Sequence, residues 1–256
     1  MGQDVIDFMR VVSLVPSWTE TLIEAGIEVV GRTRFCIHPA SKIRSVPAVG
    51  GTKNVDWELI KKLKPDLVLM DKEENPREFA ENCPFPWHAT HVVDIQSCAT
   101  ELGKLGQLFS NQALSNWAAE FDEVLKAPEE KWDFNRIPGE IEKLGVIHSP
   151  QSVLYVIWKT PWMCVTRHTY IGSVLEFLGA PLAELKSESK YPEISEDELK
   201  KHYVLFSSEP FPFVKKKKDL ELLGLAGSLV DGEKYSWFGI RGLNFLKQVQ
   251  NKFEGP

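Results

Sequence analysis

What the chain lacks narrows it first. Its 256 residues include four cysteines, Cys36, Cys83, Cys98 and Cys164, and no two form a C-x-x-C pair. That spacing argues against a zinc knuckle or a thioredoxin-type redox site. Four scattered thiols in a chain of this length read as reduced cysteines rather than a disulfide framework. No apolar run approaches the roughly 20 residues of a membrane-spanning helix. Basic excess is missing too: 30 Lys and Arg stand against 36 Asp and Glu, a formal net charge of −6, which argues against a general nucleic-acid binder. The lysine run 215–218 has no interleaved aromatics and reads as a solvated helix start. Neither a nucleophile motif nor a phosphate loop appears. The N-terminus, MGQDVIDFMRVV, has no basic segment leading into an apolar one. As written, the chain is expected in the cytoplasm, or in the periplasm or outside the cell if a signal has been removed.

What is present is an alternation of strands and helices. Apolar residues make up 43% of the chain and charged residues 26%, ordinary soluble usage. Residues 10–15 (RVVSLV) predict a strand stopped by Pro16. Ser17-Trp18-Thr19-Glu20 fits a capping box opening a helix with Leu22, Ile23 and Ala25 that stops at Gly26. Residues 27–30 predict a second strand, and this β-α-β opening favours a parallel sheet with a crossover helix. Residues 35–75 organise the rest. They read as a loop, a turn at Gly50-Gly51-Thr52, a helix carrying Val55, Leu59, Ile60 and Leu63, and a buried-type strand over 67–70. The polar loop Asp71-Lys72-Glu73-Glu74-Asn75 follows the strand's carboxyl end, where open α/β sheets place ligands. Residues 85–95 give another expected strand, around Val92-Val93 and ended by Asp94. From 97 to 126 the spacing is helical, with a break at Asn111, and the second helix reads as a connector. The polar stretch 127–140 holds two prolines and marks a boundary.

Beyond it, 144–148 and 153–158 are strand-like, Pro161-Trp162-Met163 is a turn, and 169–178 is a helix ending at Gly179. Ser195 opens a second capping box with Glu198, and 203–206 is a strand. Residues 229–231 form a last short strand, and 232–241 a loop entering a C-terminal helix with Leu243, Leu246 and Val249 on its apolar face. The segments from Glu58 to Glu73 and from Glu198 to Glu209 look like one module used twice. In each, a helix feeds a strand, and a glutamate stands three residues past the last apolar residue, Met70 or Phe206. The second copy is four residues shorter, about one helical turn. The expected fold class is α/β: two α/β lobes with mainly parallel sheets joined by a long linker helix, divided as 1–96, 97–127 and 128–256.

Several loop residues carry ligand chemistry. The His38 imidazole either hydrogen-bonds within its loop or ligates a transition metal, including the metal of a chelate. A bare metal needs three or four converging ligands, and His38, Glu73 and Glu209 are the set folding would have to gather. His88 and His91 read as surface residues, His148 and His202 as structural, and His168 as facing either solvent or a cleft. Trp162, Tyr235, Trp237 and Phe238 either pack between lobes or grip a large flat ligand. Arg241 and Lys53, with Asn54 beside it, suit carboxylates or phosphates, Arg241 through a bidentate fork. Glu73, Glu74 and Glu209 can accept from amides or amines. His38, Lys53 and Glu73 are expected on one wall of a cleft, with Glu209 and the 235–241 loop opposite.

The segments RVVSLVPSWTE, VVGRTRFCIHP, VPAVGGTKN and ELIKKLKPDLVL resemble the substrate-binding proteins of ABC importers. The subgroup is the one with a helical backbone between two lobes, which takes vitamin B12, ferric siderophores and haem. DKEEN, PWM, YPEISEDEL, FSSEPFPF and DGEKYSWFGIR resemble the set within it named helical backbone metal receptors, or cobalamin-binding-like proteins. The likeness spans nearly the whole chain. It implies a class III periplasmic-binding-protein-like, or TroA-like, fold in a monomeric, non-enzymatic receptor. Cobalamin, haem or a ferric chelate would lie between the lobes. It also implies docking on an ABC permease through one acidic residue per lobe: Glu58 at the first position and Asp197, or its neighbour Glu196, at the second. The N-terminus departs from the pattern, because a receptor feeding an importer lies outside the membrane. The alternatives are a cytosolic enzyme acting on a metal or corrinoid, and an intracellular sensor working without an importer.

Overall fold

Strands and helices alternate through most of the chain. A computed structural model describes residues 9–126, 132–145 and 151–253. Among them the order is β1 (Val11–Ser13), α1 (Pro16–Glu24), β2 (Val29–Arg32), α2 (Trp57–Leu63), β3 (Leu67–Asp71), α3 (Arg77–Glu81), β4 (Trp87–Thr90), α4 (Ile95–Leu108) and α5 (Gln112–Leu125). The second half continues with β5 (Glu140–Gly145), β6 (Val153–Trp158), β7 (Met163–Cys164), α6 (Tyr170–Phe177), α7 (Glu196–Leu199), β8 (Tyr203–Ser207), α8 (Lys217–Leu222), β9 (Gly227–Val230), α9 (Gly232–Ser236) and α10 (Ile240–Phe253). The chain forms two compact units. The first takes the residues up to Val92, then Gln96–Leu125 and Trp237–Asn244. The second takes Val93–Ile95, the chain from Lys126 to Ser236, and the residues from Phe245 on.

The first unit holds a four-stranded sheet in the order β2-β1-β3-β4, parallel throughout. β3 is internal and buried along all five residues, as its unbroken apolar run requires. Val12, Leu14, Val68 and Met70 build a core with Ile60 of α2, and Phe79 and Ala80 of α3 pack against it. α2 is capped by Asp56, whose carboxylate accepts from the Leu59 amide at 2.9 Å. Val55 lies outside that helix and bridges Gly50. The Asn111 break is present: Ser110 has φ 47°, and the Asn111 side chain accepts from the Leu114 amide to start α5.

Two expectations for this unit are corrected. No capping box forms at Ser17, because α1 begins one residue earlier, on Pro16, with no side-chain cap. Proline's fixed φ suits the first helical position, where its missing N–H costs nothing; Ser17 then lies inside the helix. The strand expected within 85–95 is present, but it is centred earlier than Val92-Val93, at Trp87–Thr90, in register with Val68 to Asp71. Val92 turns out of the sheet and gives its amide to Asp71 at 3.1 Å.

The second unit holds a five-stranded sheet, β5-β9-β8-β6-β7. The inner strands β9, β8 and β6 run parallel, and both edges pair antiparallel. The architecture is therefore α/β with mainly parallel sheets. β8, like β3, is an internal five-residue strand buried throughout. The helix feeding it has four residues against seven for α2, so the module's shortening lies in the helix. Ser195 caps α7 by accepting from the Glu198 amide. The Glu198 carboxylate pairs with Lys201 and His202, so only half of the expected box is made. The strand expected over 144–148 is β5, Glu140–Gly145; residues 146–148 lie outside the described residues. The expected 232–241 loop contains the helical turn α9. Gly232 permits it, because a Cβ there would stand 2.3 Å from Ser207 Oγ, while its amide donates to Ser208 Oγ at 2.9 Å.

Candidate functional site

In a parallel sheet the loops after successive strands emerge at one end, and each unit gathers its ligand-type residues there. In the first unit the loop after β2 is pinned from inside. Cys36 Sγ lies 3.0 Å from Thr19 Oγ1 and 3.2 Å from Thr33 Oγ1, and burial pushes the thiol's pKa up. Pinned there, the loop turns Phe35 and Ile37 outward, 48% and 50% exposed. His38, half-buried beside them, meets Trp237 edge-on with centroids 5.2 Å apart.

Trp237 is itself backed by a charge pair. The Arg241 guanidinium lies 5.3 Å from its ring centroid and donates from Nε and Nη2 to Glu20 at 2.8 and 2.7 Å. The intervening residues are fixed to α1 and α4. Gly239 N reaches Cys98 Sγ at 3.2 Å, Ile240 N donates to Thr21 Oγ1 at 3.1 Å, and Phe238 meets Trp18 edge-on. Only glycine serves at 239, where φ is 72° and a Cβ would stand 2.2 Å from Thr21 Oγ1. This corrects the expected arrangement of walls, because Trp237 and Arg241 belong to the unit that holds His38. The Arg241 fork, expected to meet a ligand acid, is occupied by Glu20.

A second group surrounds the end of β3. Asn75 is buried and joins three segments: its amide donates to Leu14 O and Thr52 O, and its Oδ1 accepts from Asp71 N. It thereby ties the glycine turn carrying Lys53 and Asn54 to the Glu73 loop. Lys53 and Asn54 are exposed and Glu74 is half-buried. Glu73 pairs with His91 at 3.2 Å, which ties that surface histidine to the 71–75 loop. Asp71, wholly buried, accepts from Thr90 Oγ1 at 2.6 Å and from the Glu73 and Val92 amides. Burial is the dominant cause and pushes its carboxyl above the ordinary range despite those donors. The folded state therefore favours protonated Asp71, a stabilisation present below the unfolded pKa and lost as pH rises through the folded one. Urea unfolding at a series of acidic pH values should show stability falling with rising pH in the wild type, relative to Asp71→Asn. A pH-independent difference between the two proteins would contradict this.

In the second unit Trp162 and Tyr235 lie in the core. Trp162 stacks on Phe213, with centroids 6.0 Å apart and planes 4° from parallel, and its indole donates to Glu196 at 3.4 Å. Tyr235 is 0% exposed, packs between Tyr155 and Phe245, and gives its hydroxyl to Pro138 O. Glu209 is half-buried and accepts from Ser236 Oγ at 2.7 Å. Trp158, the last residue of β6 and 40% exposed, lies 5.5 Å from Phe211, a half-buried residue of the loop after β8 that packs on the core of this unit. Glu58 and Asp197 are exposed, each the second residue of its helix. His202 bonds Ser152 and Glu198 and is structural, as expected. His148 lies outside the described residues. Among the described residues no three His, Cys, Asp or Glu side chains gather as a metal set.

A family model described as periplasmic binding protein matches residues 11–204, and the chain belongs to that family. Its role is to bind a solute, not to catalyse. Among solved structures, the periplasmic vitamin B12 binding protein BtuF of Vibrio cholerae superposes with a TM-score of 0.68 at 19% identity, covering 94% of this chain and 95% of that one. A periplasmic heme binding protein from Pseudomonas aeruginosa gives 0.70 at 18% identity, covering 96% and 92%. Staphylococcus aureus IsdE, complexed with heme, gives 0.69 at 14% identity, covering 97% and 100%. At these identities the likeness speaks for the fold. No curated protein sequence matches the chain.

Proposed function

We propose that this protein is the solute-binding component of an ABC importer and that its cargo is a metal chelate of corrinoid or tetrapyrrole type. The observation that carries the reading is the His38–Trp237 contact, flanked by the outward-turned Phe35 and Ile37 at the ligand end of a parallel sheet. An imidazole beside apolar and aromatic faces suits a large flat chelate that brings its own equatorial ligands. A bare ion needs a set of side chains that the described residues do not gather. The relatives in the fold that take vitamin B12 or heme support the same cargo class. Lys53, Asn54, Glu73 and Glu74 would meet polar groups of the cargo, and Glu209 is proposed as a further acceptor on the strength of its carboxylate. Trp162 and Tyr235 would act by packing in the core of the second unit, and Arg241 by backing Trp237.

Glu58 and Asp197 are proposed as the permease contacts, one from each unit. Their support is an equivalent placement, exposed in the first turn of the helix that feeds the central strand. On this reading the protein works outside the cytoplasmic membrane, and the family's description supports that over the cytoplasmic location expected from the N-terminus. No observation favours the enzyme or sensor alternatives. The test is spectroscopic titration with haemin, aquocobalamin and a ferric catecholate. One of them should shift its absorbance on binding, and His38→Ala and Trp237→Ala should each weaken that binding about tenfold or more. No shift with any of the three would sink the chelate reading.

A further inference from the structure

The first unit has a second concave surface, on the sheet face covered by α2 and α3. α3 has five residues, so it spans about 7.5 Å, while the four-residue edge strand β4 runs about 13 Å. Phe79 packs edge-on against Trp57 of α2 at 5.9 Å, which holds the short helix toward α2 and away from the sheet edge. The residues facing the gap from both sides are small: Ala80 on α3 and Ala89 on β4. Ala89 pairs in register with Met70, and Trp87 lies two residues before it, on the same face. What remains is a cavity of about 570 Å³ floored by Met70 and Ala89 and walled by Ala80 and Trp87. That volume lies within the range of small-molecule sites, roughly 300–1,000 Å³.

The chemistry of the walls selects an occupant. Trp87 is 47% exposed and offers a flat aromatic face. At the inner end Asn75 spends its amide on Leu14 and Thr52, so polar recognition falls to the rim. There Arg77 is paired with Glu81 at 2.7 Å. Lys72, also lining the cavity, is exposed and has no carboxylate partner among the described residues. Asp71 also lines the cavity, but its carboxylate is engaged by Thr90 Oγ1 and by the Glu73 and Val92 amides, so the slot offers apolar surface, one aromatic wall and, at its mouth, an ammonium with no ion-pair partner among the described residues. Lys72 and Asn75 share the 71–75 loop with Glu73 and Glu74, but the Lys72, Arg77 and Trp87 side chains are not among those assigned to the chelate.

We propose that the cavity between α3 and the β3–β4 edge is a second ligand site, for a small flat aromatic carboxylate with its ring against Trp87 and its acid at Lys72. The probe is 1-naphthoate, titrated into the ¹⁵N-labelled full chain and followed by amide chemical shifts, with uncharged 1-naphthamide as the comparison. Shifts are expected to cluster over residues 70–89, with naphthoate binding more tightly than naphthamide. Lys72→Gln should raise the naphthoate Kd roughly three- to tenfold and erase the preference over naphthamide. Ala89→Leu should abolish binding by filling the slot, and Trp87→Ala, which removes a wall without overpacking, should weaken it about tenfold. If Ala89→Leu does not fold, Trp87→Ala and the naphthamide comparison decide. Absent shifts, shifts centred elsewhere, or affinities unchanged in Lys72→Gln and Trp87→Ala would overturn the proposal.

Discussion

Trp18→Ala is expected to lower the unfolding free energy by about 3–5 kcal/mol, the range for deleting a large buried aromatic. Trp18 is fully buried, so its whole ring is removed from a packed interior. Three further losses come with it. The indole donates to Thr90 Oγ1 at 2.8 Å, and Thr90 Oγ1 donates to the buried Asp71 carboxylate at 2.6 Å; removing the indole takes a donor from that chain. The edge contact with Phe238, 5.0 Å between centroids, anchors the residue after Trp237. And Trp18 Cζ3 lies 3.2 Å from where a Cβ on Gly239 would stand, so the segment carrying Trp237 would lose part of its bed. Trp18→Phe keeps most of the volume and loses the N–H, so it should cost about 1–2 kcal/mol. Urea unfolding followed by far-ultraviolet circular dichroism measures both. A cost below about 1 kcal/mol for the alanine variant would mean the site collapses around the gap, against the packing described.

The second large effect concerns Glu20 and Arg241, whose side chains are 12% and 24% exposed. The bond is bidentate, the strong geometry for this pair. Removing one partner of a buried pair leaves the other charge uncompensated, at about 3–5 kcal/mol when fully buried. Arg241 keeps some water, so each single alanine variant should cost about 2–3 kcal/mol. A double-mutant cycle should return a coupling of about 2 kcal/mol. The structural consequence reaches further. Arg241 lies over Trp237 and Trp237 against His38, so Glu20→Gln should weaken chelate binding although Glu20 need not touch the chelate. A coupling under about 0.5 kcal/mol, or chelate affinity unchanged in Glu20→Gln, would show that the pair does not hold the surface together.

That chain of contacts marks where the sequence stopped being legible. Glu20 and Arg241 are 221 positions apart, and neither local spacing nor composition links them. Glu20 instead suited a capping box three residues after Ser17, a local reading that lost to Pro16 one position upstream. The glycine turn, the Asn111 break, the Ser195 cap and the stops at Gly26 and Gly179 were readable because each depends on a few adjacent residues. Within the span expected for β4, its centre lies a few residues earlier than expected, for the converse reason. Val92-Val93 has the stronger strand composition, but Trp87–Thr90 is the segment that lies in register with β3.

The chain's own periodicity determined an α/β fold with parallel sheets and a helix–strand–glutamate module used twice, and ordered motifs carried the likeness to substrate-binding proteins. The tertiary structure decided which aromatics of the 235–238 cluster are core and which are surface. Tyr235 belongs to the interior of the second unit, while Trp237, two residues on, lies against His38 in the first. Both residues have the same affinity for burial and for flat ligands. What separates them is where the backbone passes between units, and that depends on contacts from α1 and α4 with the 238–240 segment rather than on the residues themselves.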